Sequence, residues 1–139
     1  VQELTLKKGN WITTKDNIII KPKGNVFAPG NMRASKENIP YKKCIDYWID
    51  NCYTLRYTGG MVPDIYQIFI KEKGIFTNLS SEKNPAKLRV LYEVGPLGFL
   101  VVKAGGKASL GKTPLLDLEV TSYDQRTDII VGSTEEVNL

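Results

Sequence analysis

Segments of helical periodicity alternate with short apolar runs along most of this chain, and that alternation restricts the folds open to it more than any other feature. After Pro40, a residue tolerated in a first helical turn, Cys44, Ile45, Trp48, Ile49 and Cys52 recur at helical spacing. Met61, Ile65, Ile68 and Phe69 line one face of a second helix that Gly74 ends, and the apolar residues from Leu97 to Ala104 run into a Gly105-Gly106 stop of the left-handed type. Between them lie strand-like pieces. Residues 2–20 read as a meander through a KKGN turn, with NIII at 17–20 as a buried strand. NVF, YTLRY, IFTN and RTDIIVG supply further strands, and Ser133 with Glu136 predicts a capping box on a short last helix. The expected fold is α/β: a layered sandwich with a mixed β-sheet flanked by helices, mixed because the early strands form a meander. A length of 139 residues with 42% hydrophobic content fits one domain over 1–139.

Charge and missing residue types narrow the chemistry. Nineteen basic and fifteen acidic side chains leave a formal charge of +4, spread along the chain with no basic stripe interleaved with aromatics. That pattern suits an anionic small molecule better than a nucleic-acid surface. No apolar run approaches the roughly 18 residues that cross a bilayer. Cys44 and Cys52 lie eight residues apart, about 12 Å along one helix, too far for a disulfide. Free thiols point to a reducing compartment. With no histidine in the sequence, a Ser-His-Asp triad and a histidine-ligated metal are excluded, and two cysteines cannot complete a zinc site. Any metal is a hard cation held by oxygen, and any acid or base is a carboxylate, lysine, tyrosine or water. The chain starts at Val1 and enters a strand pattern at once, which reads as a piece of a longer protein.

Two stretches invite an anion or a metal. In KLRVLYEVGPLGFLVVKAGG, residues 87–106, Glu93 interrupts an apolar run where a helix begins, as a helix-start acid or as a ligand. In RYTGGM, residues 56–61, Arg56 and Tyr57 end a strand, while Gly59 and Gly60 permit close backbone approach at the start of the next helix. A tight strand-to-helix turn satisfies the same pattern. Lys87 and Arg89 read alone as surface charges.

RYTGGMVPDI, KGIFTN, AKLRVLYEVGPLGFLVVKAGG and DQRTDIIVGS occur here in the order and spacing of the C-terminal half of the sugar bisphosphatases. From about residue 4 to residue 137 the chain resembles that family, its sedoheptulose-1,7-bisphosphatase branch above its fructose-1,6-bisphosphatase branch. The resemblance implies magnesium-dependent hydrolysis of the 1-phosphate of a ketose bisphosphate by water, without a covalent enzyme intermediate; a non-catalytic sugar-phosphate-binding module is the other reading. Residue by residue, Glu93 matches a metal-binding, catalytic carboxylate. Lys87, Leu88 and Arg89 match a KLR segment lining the sugar-phosphate site. Tyr57 matches a tyrosine on the distal phosphate, and Arg56 an arginine that reaches that phosphate in a neighbouring subunit of a homo-oligomer, dimer or tetramer. Thr58, Gly59, Gly60 and Met61 follow as the backbone-approach segment. Asn31 in the APGN loop matches a phosphate-binding asparagine, across a gap that leaves Gly30 as the other placement. The family's aspartate-rich metal motif, resembling DPLDGS, has no counterpart in these 139 residues. The expectation is therefore a C-terminal sugar-phosphate-binding domain, inactive by itself, whose partner is its own N-terminal metal-binding domain. The regulatory cysteines of plastid relatives belong to that other half, so Cys44 and Cys52 do not inherit their role.

Asn78 in GIFTNL stands where fructose-1,6-bisphosphatases resemble GIFLYP, with a tyrosine on the distal phosphate. The smaller side chain leaves room for a ketose one carbon longer, a difference worth roughly 1–3 kcal/mol in a pocket. In the full-length enzyme Asn78→Tyr is expected to lower kcat/KM for sedoheptulose-1,7-bisphosphate relative to fructose-1,6-bisphosphate. An unchanged or opposite ratio of the two efficiencies removes Asn78 as a determinant of chain length.

Overall fold

The computed structural model describes residues 1–139. Strands β1 (Glu3–Lys7) and β2 (Asn10–Lys15) form an antiparallel hairpin. Its two-residue turn places both Lys8 (φ 49) and Gly9 (φ 81) in the left-handed region, the geometry whose twist matches the flanking strands. The hairpin is a separate two-stranded sheet, so it does not begin the main sheet as the meander expectation had it. Residues 17–20 are not a strand either. Ile18 and Ile20 are buried and Ile19 is exposed, the alternation a strand would give. Their N–H groups, however, are bonded to Val1 O and Ala104 O instead of to a neighbouring strand.

The main sheet has five strands in the order β4-β3-β5-β7-β6, with β3 Val26–Gly30, β4 Thr54–Leu55, β5 Ile75–Asn78, β6 Lys107–Ser109 and β7 Ile129–Gly132. β3 runs parallel to β4 and β5, whereas β7 is antiparallel to β5 and β6. The sheet is mixed as expected, but the reversal comes from one late strand, β7.

Each central strand is buried on both faces, which sorts alternate side chains into two cores. Phe27 and Ile75 join Ala34, Tyr41, Ile45 and Trp48 beneath α1 (Ile39–Asp50). Ala28 and Phe76 join the larger cluster under α2 (Met61–Lys71) and α3 (Gly95–Lys103). The chain is thus a helix–sheet–helix sandwich. Asn38 caps α1 by accepting the Tyr41 N–H at 3.0 Å. Its buried stripe is Tyr41, Ile45 and Trp48. Ile49 is on α1 but outside that stripe and exposed, and Cys52 falls beyond the end of α1 at Asp50, with φ 56. Both cysteines are free. The predicted face of α2 is buried as expected, and α3 stops before Gly105 at φ 86. No helix is long and apolar enough to cross a membrane.

The expected capping box of α4 (Thr134–Val137) does not form. Ser133 Oγ instead accepts the Gly74 N–H at 3.1 Å, and Glu136 Oε1 accepts the Gly24 N–H and the Tyr53 hydroxyl, each at 2.9 Å. Both side chains are claimed by buried donors from distant segments, which would be costly to leave unmet, and the Ser133 N–H that the box would use is already bonded to Gly74 O at 2.8 Å. Around them the backbone packs without room for side chains. A Cβ on Gly132 would lie 2.0 Å from Gly74 O, and one on Gly24 would lie 2.5 Å from Gly74 N. Gly132→Ala is expected to cost about 3 kcal/mol, combining overpacking against backbone with a φ of 148°. Ser133→Ala, which strands the Gly74 N–H, is expected to cost about 1–3 kcal/mol. Urea unfolding midpoints measure both, and wild-type stability in Gly132→Ala contradicts the packing.

A candidate phosphate and metal-ligand edge

The parallel strands end side by side. Gly30 at the end of β3 lies opposite Asn78 at the end of β5, which lies opposite Ile129 at the start of β7. β4 pairs with β3 through Leu55 and Phe27, and the next residue, Arg56, donates its N–H to Phe27 O at 2.9 Å. The KLR segment reaches the same edge through residues 125–127: Thr127 N–H bonds Leu88 O at 3.0 Å and Val90 N–H bonds Gln125 O at 2.8 Å. The topology therefore gathers Asn31, Arg56–Met61, Asn78 and Lys87–Arg89 at the carboxyl ends of β3, β4 and β5, where open α/β sheets bind ligands.

Within this edge the side chains differ in readiness. Arg56, Tyr57, Thr58 and Lys87 are exposed. The Arg56 guanidinium touches only Leu55 O, at 3.2 Å, and so is free to turn to an anion. Gly59 takes φ 91, and Gly60 caps α2 with extended backbone and no side-chain bond, which leaves the Met61 and Val62 N–H groups without a partner. Thr58 N–H is held by Asp64 Oδ1 at 2.8 Å, and Gly60 N–H reaches Thr58 Oγ1 at 3.3 Å. Met61 belongs to this segment through its backbone, since its side chain is in the core. Leu88 likewise packs partly against that core.

Asn31 departs from the expected phosphate contact. It sits at φ 51, and both N–H donors of its amide are taken, by Leu79 O at 2.8 Å and Asn84 O at 2.9 Å. Direct donation to a phosphate requires breaking one of these bonds. Asn38 adds a bond to Ser80 O at 2.9 Å, and Ala86 N–H is held by Ser80 Oγ at 2.8 Å. Together they fix the loop that leads into Lys87. Asn78 keeps a buried Oδ1 with no partner.

Glu93 lies in a π-helical turn, Val90–Val94, that runs into α3. It does not cap α3. Its Oε2 folds back to accept the Arg89 N–H at 2.7 Å, with the Arg89 guanidinium 3.6 Å away and stacked over Tyr92. Oε1 accepts no hydrogen bond, so one oxygen of a half-buried, oriented carboxylate is available. No group of three Asp, Glu, Cys or His side chains in the chain could hold a metal. Glu93 can donate one ligand to a hard cation, and a complete metal site needs oxygens from elsewhere.

Beneath the edge, the Tyr41 hydroxyl donates to Gly30 O at 2.6 Å, which leaves Thr77 Oγ1, 3.0 Å away, as the donor to Tyr41. Burial is the main cause that pushes this phenol from 10.0 up to about 12; the Thr77 bond opposes it and nearby Tyr57 adds to it. The Cys44 thiol is also pushed up by burial, which suits an unreactive core-edge residue. Sequence reasoning passed over Asp64, Tyr41 and Asn38. An acid in the first turn of α2 was the one local signal for Asp64; the other two become visible only when strand ends are brought together.

With this geometry, residues 20–139 match the family described as Fructose-1-6-bisphosphatase, C-terminal domain, and the chain belongs to that family. It is 52% identical over 134 residues to the chloroplastic sedoheptulose-1,7-bisphosphatase of Spinacia oleracea, covering 96% of this chain and 34% of that protein. It is 42% identical over 126 residues to the class 1 fructose-1,6-bisphosphatase of Geotalea uraniireducens, covering 90% and 40%. A crystal structure of a Toxoplasma gondii protein assigned as a sedoheptulose-1,7 bisphosphatase superposes with a TM-score of 0.94 at 42% identity, over 99% of this chain and 44% of that one. The chain thus spans about a third to two fifths of the length of the curated relatives it matches. The resemblance read from the motifs, and the layered fold with it, is borne out.

Tyr41 gives the edge a pH test. Its folded pKa is raised, so its contribution to stability is complete below the unfolded value of 10.0 and is lost as pH rises through about 12. Tyr41→Phe is expected to destabilise the fold by about 1–3 kcal/mol near neutrality, and to remove that part of the alkaline loss between pH 10.0 and about 12. Urea midpoints across that window, followed with phenolate absorbance, measure it. An identical alkaline slope in both proteins contradicts the assignment.

Proposed function

We propose that residues 1–139 form the C-terminal sugar-phosphate-binding domain of a sugar bisphosphatase, a phosphoric monoester hydrolase that removes the 1-phosphate of sedoheptulose-1,7-bisphosphate. The observation that carries this reading is the gathering of the Arg56–Met61 turn, the KLR segment and the oriented carboxylate of Glu93 on adjoining parts of one sheet edge. Tyr57 and Lys87 hold the distal phosphate, joined by Arg56 from the neighbouring subunit and helped by the unpaired N–H groups of Gly59 and Met61, in a turn that Thr58 and Gly60 stiffen with their own bonds. Leu88 and Arg89 shape the wall beside it. Asn31 acts in this site by holding the 79–84 loop. Glu93 gives Oε1 to magnesium, and the remaining ligands come from an N-terminal domain outside these residues. When bound, the metal supplies Lewis-acid polarisation of the transferring phosphoryl group and a more acidic water. The protein works as a homo-oligomer in which Arg56 serves the neighbouring site, in the plastid stroma or cytoplasm.

The 52% identity to a chloroplastic sedoheptulose-1,7-bisphosphatase favours the seven-carbon substrate and the plastid. The 42% identity to a class 1 fructose-1,6-bisphosphatase supports fructose-1,6-bisphosphate as the second reading.

In the full-length enzyme Glu93→Gln is expected to lower kcat about 100-fold or more, the scale of losing one electrostatic contributor to a transition state, while distal-phosphate binding persists. Unchanged turnover and magnesium dependence reject Glu93 as a ligand. Arg56→Lys is expected to raise KM, because lysine lacks the two-pronged geometry of a guanidinium. Hybrids of an Arg56 variant with a Glu93 variant are expected to regain part of the activity by restoring one intact site. Demonstrated hybrids without recovery reject the reach across subunits.

A further inference from the structure

Asp64 is a carboxyl at 1% exposure whose Oδ2 has no hydrogen-bond partner, and no ion pair involves it. An apolar residue would fill that place in α2 at lower cost, so the acid calls for a reason. Its one bonded oxygen, Oδ1, accepts the N–H of Thr58 at 2.8 Å. Thr58 lies between Tyr57 and Gly59 in an exposed turn that no strand pairs. The last ladder bond before it is Arg56 N–H to Phe27 O, and the next anchor after it is Met61, in the core. Across those residues the other bonds are the long, local one from Gly60 N–H to the Thr58 hydroxyl and the first bond of α2, from Asp64 N–H to Gly60 O at 3.1 Å. Asp64 therefore stands as the one buried side chain that holds an otherwise exposed loop. α2 carries that fixture on a helix whose Ile65, Ile68 and Phe69 are locked in the main core.

We propose that Asp64 is a positioning residue for the Arg56–Gly60 segment: through the Thr58 N–H it fixes where Tyr57 and the following backbone N–H groups meet the phosphate. This rests on the reading that the segment binds the distal phosphate of a sugar bisphosphate. Asp64 touches neither phosphate nor metal. Its effect is preorganisation, which lowers the ordering cost of binding and leaves the chemical step alone. Asparagine keeps an acceptor oxygen at the same reach and alanine does not.

The test uses the full-length enzyme. Asp64→Ala is expected to raise KM for the bisphosphate about tenfold, the worth of one hydrogen bond, with kcat within about twofold. Asp64→Asn is expected to stay within about twofold of wild type in both. Hydrogen exchange on the ligand-free wild-type protein serves as a second measurement that needs no variant: the Thr58 amide is expected to be protected while its exposed neighbours at 57 and 59 exchange freely. An unprotected Thr58 amide overturns the proposal, as does an Asp64→Ala enzyme with unchanged KM, or an Asp64→Asn enzyme as impaired as the alanine variant. Failure of the phosphate reading itself looks different: Arg56 and Tyr57 variants would leave KM unchanged while Thr58 stays protected.

Discussion

The fold depends on a place where backbone meets backbone with no side chain between. At the amino end of β3 and β5, Gly24, Gly74, Gly132 and Gly106 converge, and a Cβ on any of them would fall 2.0 to 2.9 Å from backbone of another segment. β3, β5 and β6 at their starts and the antiparallel β7 at its end are thereby drawn into one sheet. Ser133 and Glu136 complete the junction by accepting the N–H groups of Gly74 and Gly24. Because this end is closed by backbone contacts and buried hydrogen bonds, the opposite end of the sheet can be left open and polar.

That open end is where the chemistry gathers. Parallel strands finish together there, and loops that leave them carry exposed basic and hydroxyl groups over a floor fixed by Tyr41, Thr77 and Asn31. Glu93 is held by the structure on one side only. One of its oxygens holds the turn ahead of α3 through Arg89, and the other accepts no hydrogen bond. The bond to Arg89 and the ligand role proposed for Glu93 are compatible, since they use different oxygens.

Much of the architecture was legible locally. The face of α2 followed from Met61, Ile65, Ile68 and Phe69 because a single helix repeat specifies which residues share a side. The hairpin turn at Lys8 and Gly9 and the stop at Gly105 were equally local. Other expectations depended on partners far along the chain. Ile18 and Ile20 have strand-like burial, but their N–H groups found Val1 and Ala104. Ser133 and Glu136 spell a capping box, yet buried donors 59 and 112 residues away claim them. The stripe of α1 excludes Cys52 because the helix ends at Asp50, and excludes Ile49 because only Tyr41, Ile45 and Trp48 face the sheet.

By itself, the sequence determined the alternation of helices and strands, the family through its motifs, and the chemical repertoire: no histidine, no zinc site, oxygen ligands and basic side chains for an anion. These depend on residue identity and short-range spacing. Tertiary structure alone decided that β7 reverses in the sheet, that Asn31 spends its donors on the 79–84 loop, and that Asp64 supports the Thr58 turn. A hydrogen bond is settled by which donor and acceptor the fold brings within 3 Å, and for those groups the choice is made by strand register and helix packing, which local spacing does not encode.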